Sequence, residues 1–354
     1  MSSNGTTPVP GDDRPRVSLI TTIRDEADQL PELLESIRLQ SLQPDAVVVV
    51  DGGSTDRILE VLEQWKDRLP LEVYQCPGAN ISTGRNVAIS QCRSDIIAVT
   101  DAGVRLDPNW LEYLVSPFVE CPGEVDVVSG FFNSDSRDEF EAALAATTLP
   151  DVDEVEPGSF LPSSRSVAFR RSWFEAGIQY PEWLDYCEDL IFDLRLRRAG
   201  ARFRFQPNAL VYFRPRSSMR AFWSQYYRYA RGDGKSGLFL KRHAVRYLTY
   251  LLVLPSSVVV RSPWWRAIVM LGAAAYMRKP VQRLMHREQR PLRRLIPLIG
   301  MSALLRGFGD VAKMAGYPVG LIWRQRRYGL RRDWRSIPEP GRIPFDQVRP
   351  RPRS

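Results

Sequence analysis

Carboxylates set immediately beyond apolar runs are the first residues here that could do chemistry. Asp51 ends the run Ala46-Val47-Val48-Val49-Val50 and opens Asp51-Gly52-Gly53-Ser54-Thr55-Asp56. Asp101 ends residues 96–100 in the same way, within Thr100-Asp101-Ala102-Gly103. Ligands of parallel α/β sheets bind outside the carboxyl ends of the strands, where glycines admit a ligand to the backbone and a carboxylate accepts bonds from a base or ribose. A nucleotide therefore suits the Asp51 loop. Read alone, that loop is equally a helix start with Ser54 or Thr55 as its cap, and a lone strand-end Asp is equally a turn residue. Two acidic strand ends on one rim, with Arg85-Asn86 between them in sequence, favour a site.

A second acidic pair, Glu188-Asp189, opens a helical stretch that continues through Asp193, Leu194 and Arg195. The helix dipole alone accounts for carboxylates in that first turn. Further on, Gln225-Tyr226-Tyr227-Arg228-Tyr229 precedes Arg231 and Lys235. Aromatics interleaved with arginine stack on sugar rings or pair with a diphosphate, or simply form the polar face of a helix. Other chemistries have little material: there are 4 cysteines, none in a CxxC, and 2 histidines. Zinc clusters, disulfide scaffolds and histidine triads are disfavoured, leaving carboxylates and arginines.

The elements that must position these groups follow from periodicity. Apolar runs at 17–23, 46–50 and 96–100, with a short one near Val73, alternate with helical patterns such as Leu30, Leu33, Leu34 and Ile37. Such alternation marks a parallel sheet with crossover helices, and continuous valine runs suit a sheet covered on both faces. Residues 1–14 are polar with no apolar core segment, which reads as a disordered leader and not a signal peptide, so the catalytic part is expected in a reducing cytoplasm.

The net charge of +8 hides a split: residues 1–213 hold 19 Lys/Arg against 35 Asp/Glu, and residues 214–354 hold 30 against 6. Apolar blocks at 247–260, 267–277, 295–305 and 311–323 alternate with basic, proline-bearing joints such as Arg261-Ser262-Pro263-Trp264-Trp265-Arg266. None reaches the roughly 20 apolar residues of a standard span. Trp and Arg at their borders suit interfacial or re-entrant segments on an anionic membrane surface, with an ordinary helical subdomain as the alternative. A nucleic-acid surface would not need the apolar blocks, so nucleic acid is not expected as a partner.

Taken in order, these motifs resemble the family 2 glycosyltransferases. Asp51 to Asp56 is similar to their DGSxD element, Gly84-Arg85-Asn86 to ARN, Thr100 to Gly103 to the DxD strand end, Glu188-Asp189 with Asp193-Leu194-Arg195 to EDxDLxxR, and Gln225 to Tyr229 to QxxRW with Tyr for Trp. The resemblance covers about residues 16–235. It implies an α/β fold of the GT-A type, Rossmann-like with a mostly parallel sheet and helices on both faces, followed by a C-terminal helical, membrane-associated region. The implied division is a leader at 1–14, the GT-A domain at 15–235, the membrane-associated helices at 236–330 and a basic, Pro-rich, mobile tail at 331–354.

The resemblance also implies an inverting transfer from a nucleotide diphosphate sugar to a hydroxyl of a lipid-linked or envelope glycan acceptor at the cytoplasmic membrane. Asp189 would be the general base beside Glu188. Asp51, Ser54, Asp56, Arg85, Asp101, Gln225, Arg228 and Tyr229 would bind the substrates. Metal-binding members usually carry an acid where Gly103 stands, so an Mg²⁺ or Mn²⁺ ion would rest on Asp101 alone, or Arg228, Arg231 and Lys235 would replace it. The alternative is a catalytically silent nucleotide-sugar-binding scaffold of the same fold.

Overall fold

The computed structural model describes residues 14–289, 291–329, 333–337 and 349–350. The leader, bar Arg14, and most of the 331–354 tail lie outside the described residues.

Strands β1 (Val17–Ile23), β2 (Ala46–Asp51), β3 (Leu71–Gln75) and β4 (Ile96–Val99) pair in parallel in the order β4-β1-β2-β3. They are joined by α1 (Leu30–Arg38), α2 (Ile58–Trp65) and α3 (Ile81–Gln91). Because strand side chains alternate, the valine run of β2 divides. Val47 and Val49 face a core with α1 and α2, whereas Val48 and Val50 face a core with α3. On α1 the four residues Leu30, Leu33, Leu34 and Ile37 are all fully buried, each stabilising the layer by about 1.5–3 kcal/mol.

Beyond β4 the sheet becomes mixed. After β5 (Val104–Leu106), α4 (Trp110–Glu120), β6 (Val127–Ser134) and α5 (Glu139–Thr148), strand β7 (Val167–Arg170) runs antiparallel to both β4 and β6. Helices α6 (Ser172–Glu175) and α7 (Glu188–Arg198) lead to β8 (Phe203–Phe213), parallel to β6 and antiparallel to β5. The parallel pattern expected from the sequence thus describes the half from β1 to β4. The other half mixes directions because residues 149–166 return the chain to β7 without a crossover helix.

Helix α8 (Met219–Ser236) ends at Gly237, whose φ of 76° gives a left-handed cap. A helical run follows: α9 (Leu240–Leu248), one π-helical segment (Thr249–Val253) and α10 (Leu254–Val259). It turns at residues 260–262 into α11 (Pro263–Glu288), making a hairpin, and α12 (Leu292–Tyr328) closes the chain against α8 and α5. The blocks at 295–305 and 311–323, taken as separate in the sequence, are one 37-residue helix. A Cβ on Gly316 would collide with the carbonyl of Tyr227, and one on Gly320 with that of Arg231, so the α8 and α12 backbones touch. Packing of this kind holds a helix through Pro297 and Pro318 that isolated sequence would break. Trp334 and Ile337 are also buried, against Trp183, Leu184 and Ile191.

Candidate active site

Two loops meet at the carboxyl edge of β1 and β2. Asp51 is buried, and its Oδ1 accepts from the Gly53 and Ser54 amides (3.2 and 2.9 Å) and the Ser54 hydroxyl (2.6 Å). Gly53 takes φ 94°, which a side chain there would strain. Asp56 joins this loop to the one after β1: its Oδ2 accepts from the Ala27 amide at 2.9 Å and its Oδ1 from the Ile58 amide at 3.2 Å. Ser54 does likewise, its hydroxyl oxygen accepting from the Asp25 amide at 2.9 Å. Ser54 and Asp56 therefore shape the rim that carries Asp51.

The loop after β1 also supplies Glu26, which the sequence reading passed over although it stands just beyond the 17–23 run. Burial, then the nearby Asp101 and Asp56, push its carboxyl up to about 7, with Arg216 opposing. Glu26 thus lies close enough to Asp101 and Asp56 to feel both charges.

Arg85 organises the second cluster. It is 2% exposed, donating from NH2 to Asp101 Oδ1 at 2.8 Å and from NH1 to Glu188 Oε1 at 2.7 Å, with Tyr180 stacked beneath it. Against burial, which alone would lower it, Asp101 and Glu188 raise its pKa. The other Asp101 oxygen faces Arg165 Nε at 3.6 Å. Arg165 lies over the Phe213 ring and close to Tyr229, whose hydroxyl accepts from Gln225 Nε2 at 2.8 Å. No spacing rule marks Arg165, a single cation in Ser163-Ser164-Arg165-Ser166.

Helix α3 positions the acidic pair. Asn86 brackets Tyr180, donating to its carbonyl (2.9 Å) and accepting from its amide (3.0 Å), and also donates to Glu182 (3.0 Å). Asn80 and Ser82 hold the carbonyls of Glu182 and Leu184 at 2.6 and 3.0 Å. The chain then turns at Cys187, whose φ of 66° is left-handed, and delivers Glu188 and Asp189 into the first turn of α7. Burial and Asp189 push the Glu188 carboxyl up to about 7. Asp189 is half-buried and accepts from the Leu190 amide at 2.8 Å. One turn on, Asp193 is buried, and burial with Asp189 raises its pKa well above the usual carboxylate range.

Arg228 donates to the Tyr186 hydroxyl at 2.8 Å, while Arg231 and Lys235 pair with Asp185 at 3.3 and 3.5 Å. These cations brace the outer side of the corner. Around Asp101 the residues do not form a metal cage: Oδ1 accepts from Arg85, Oδ2 faces Arg165 Nε at 3.6 Å, Gly103 has no side chain to offer, and no group of three His, Cys, Asp or Glu able to hold an ion occurs among the described residues.

Residues 18–177 match the model for glycosyl transferase family 2. That stretch is a family 2 glycosyl transferase domain. Its relatives include the pre-mycofactocin glycosyltransferase of Mycobacterium tuberculosis, 29% identical over 215 residues, which are 58% of this chain and 44% of that protein. The O-antigen chain rhamnosyltransferase of Salmonella typhimurium is 22% identical over 55% of this chain and 65% of its own. The chain thus spans less than two thirds of these relatives' length. A mannosyltransferase from Pyrobaculum calidifontis, solved with GDP-Man and Mn²⁺, superposes with a TM-score of 0.53 at 18% identity, covering 89% of this chain and 88% of that one. This places the family 2 domain and the helices after it in the GT-A fold.

Proposed function

We propose that the chain is an inverting glycosyltransferase that uses a nucleoside diphosphate sugar and an acceptor hydroxyl presented at a membrane surface. The observation that carries this reading is the Arg85 clamp, which ties the strand-end Asp101 to Glu188 and so seats Asp189 beside the nucleotide rim. The acceptor oxygen attacks the anomeric carbon, the bond from that carbon to the diphosphate oxygen breaks, and the nucleoside diphosphate leaves from the opposite face. Asp189 takes the hydroxyl proton as the new bond forms, a step worth on the order of 10² to 10⁴ in rate. Asp51 and its loop bind the nucleoside, and Arg165 meets the charge that develops on the diphosphate. Because the Asp101 oxygens already face arginines, no step is routed through a metal.

Membrane attachment is supported by the hairpin, where Leu251, Leu252, Val258, Val259, Trp264, Met270 and Leu271 are all 60% exposed or more. Arg261 and Arg266 flank Trp264 and Trp265 at its turn, the arrangement of an interfacial anchor on anionic lipid. By length and composition α12 could also cross a membrane, but 39% of its most apolar window is buried in the protein, which favours the hairpin as anchor. Basic segments beside it favour the cytoplasmic face. A lipid-linked or envelope glycan is the acceptor class that such an anchor brings within reach. Release of nucleoside diphosphate by the purified full chain from UDP-glucose, UDP-GlcNAc, GDP-mannose and dTDP-rhamnose tests the reading. Turnover of at least one, lost in Asp189→Asn, is expected. Asp189→Asn turning over within a factor of about two of wild type overturns the base assignment.

A further inference from the structure

A chain of polar groups, buried at His243 and Asp310 and reaching the surface at Tyr276, runs from the catalytic corner to both arms of the hairpin. Cys187 Sγ donates to Asp233 Oδ1 of α8 at 3.2 Å. The other Asp233 oxygen lies 3.0 Å from His243 Nε2 on α9, and His243 Nδ1 lies 3.0 Å from Arg246 NH1. A guanidinium can only donate, so Nδ1 accepts and the proton sits on Nε2, pointing at Asp233. Arg246 Nε then donates to Asp310 Oδ1 of α12 at 2.8 Å. The second Asp310 oxygen accepts from Tyr250 at 3.1 Å and from Tyr276.

The ends of this chain matter most. Cys187 is the left-handed residue whose turn aims Glu188 and Asp189. Tyr250 sits in the π-helical segment of the first arm, and Tyr276 sits on α11, the second arm. A π-helical insertion inside an α-helical run commonly accompanies function, and here it carries the hydroxyl that reaches Asp310. Tyr317 stacks on His243 with ring centres 3.8 Å apart, fixing the imidazole in line. Satisfied networks in a buried setting rigidify what they join.

We propose that Asp233 and His243 are positioning residues for the carboxylate pair, and that seating the hairpin on an anionic bilayer tightens the relay. In water the two arms expose apolar side chains along their length, and among the described residues only short ties join them near the turn: Trp265 Nε1 to Ser256 Oγ at 3.0 Å and Arg266 Nε to the Ser257 carbonyl at 3.2 Å. Immersion of both arms in one acyl boundary holds them together about Asp310, and the relay carries that order to Cys187. The coupling half of this inference rests on the membrane reading above. The positioning half does not.

The probe is alkylation of Cys187 by iodoacetamide in the purified full chain, read by peptide mass spectrometry with the partly exposed Cys121 as internal reference. Thiol reactivity follows access and thiolate content, so a tighter corner reacts more slowly. Phosphatidylcholine vesicles containing about one third phosphatidylglycerol should slow Cys187 by at least about threefold relative to Cys121 in wild type. The double variant Tyr250→Phe, Tyr276→Phe keeps Asp310 paired with Arg246, so it should fold, co-sediment with the same vesicles and lose the slowing. Vesicle binding with no change at Cys187 in wild type overturns the coupling while leaving membrane attachment intact. No vesicle binding overturns the membrane reading, and the coupling with it.

Positioning is then decided in water. Asp233→Asn should react faster at Cys187 and lower the turnover number for whichever donor in the panel is consumed, at unchanged donor KM, with Asp233→Glu restoring part of the turnover. Unchanged Cys187 reactivity and turnover in Asp233→Asn overturn the positioning role.

Discussion

The carboxylate rim and the C-terminal hairpin handle their unfavourable groups in opposite ways. At the rim, charges are gathered around cations: the buried Arg85 lies between Asp101 and Glu188, and Arg165 faces the remaining oxygen of Asp101. In the hairpin, apolar side chains such as Val258, Val259 and Trp264 stand 77–78% exposed. Buried ion pairs are poor sources of stability but good fixers of geometry, whereas exposed apolar clusters of this size mark a surface made to be covered. The rim pairs its charges within the fold, whereas the hairpin leaves its apolar side chains uncovered.

The largest effect that would break this contrast is on turnover. Asp189→Asn should lower it by on the order of 10² to 10⁴ while nucleoside diphosphate affinity, measured by calorimetry, stays near wild type. Next is stability: Arg85→Met leaves the buried Glu188 without its partner and Asp101 with Arg165 alone, and should cost about 3–5 kcal/mol in urea unfolding. Wild-type stability in that variant would mean the clamp organises nothing. Asp51→Ala should weaken the nucleotide by about 1–3 kcal/mol, since it removes both a ligand acceptor and the anchor of the Gly53-Ser54 turn.

Smaller effects sharpen the comparison. Glu26 has a folded-state pKa raised from 4.5 to about 7, so its contribution to stability is full below its ordinary value and is lost as pH rises through about 7. The same ionisation adds an anion beside Asp101, where the proposed function puts the diphosphate. Nucleotide affinity should therefore fall across that range, and Glu26→Gln should flatten the curve. In the hairpin, Val258→Glu, Val259→Glu and Trp264→Glu together should move the protein from the membrane to the soluble fraction of cells with the melting temperature unchanged. Smallest of all, EDTA should alter turnover by less than about threefold, because arginines already face the Asp101 oxygens.

What the sequence disclosed depended on whether position along the chain encoded place in space. Asp51 and Asp101 were legible because a residue ending a buried strand must stand at the sheet's edge, and Glu188-Asp189 because a helix start has its own signature. Arg165 was not legible, since only the return of β7 between β4 and β6 brings it to Asp101. Cys187 was not legible either, because its left-handed turn is imposed by the ties from Asn80, Ser82 and Asn86 to residues 180–184. The unity of α12 was hidden by Arg306-Gly307-Phe308-Gly309. In sequence these residues interrupt an apolar run, but in the fold Gly309 makes room for the Phe222 ring.

The contact of Gly316 and Gly320 with α8 has a further consequence for distance. Because α12 returns to the catalytic corner, the hairpin is strung between two anchored helices and cannot swing as a tethered module. On α11, Trp264 at the turn and the buried Pro280 are separated by 16 residues, about 24 Å of helix. On the proposed membrane reading that length is a ruler: it sets how far above the acyl boundary an acceptor hydroxyl has to rise to be reached.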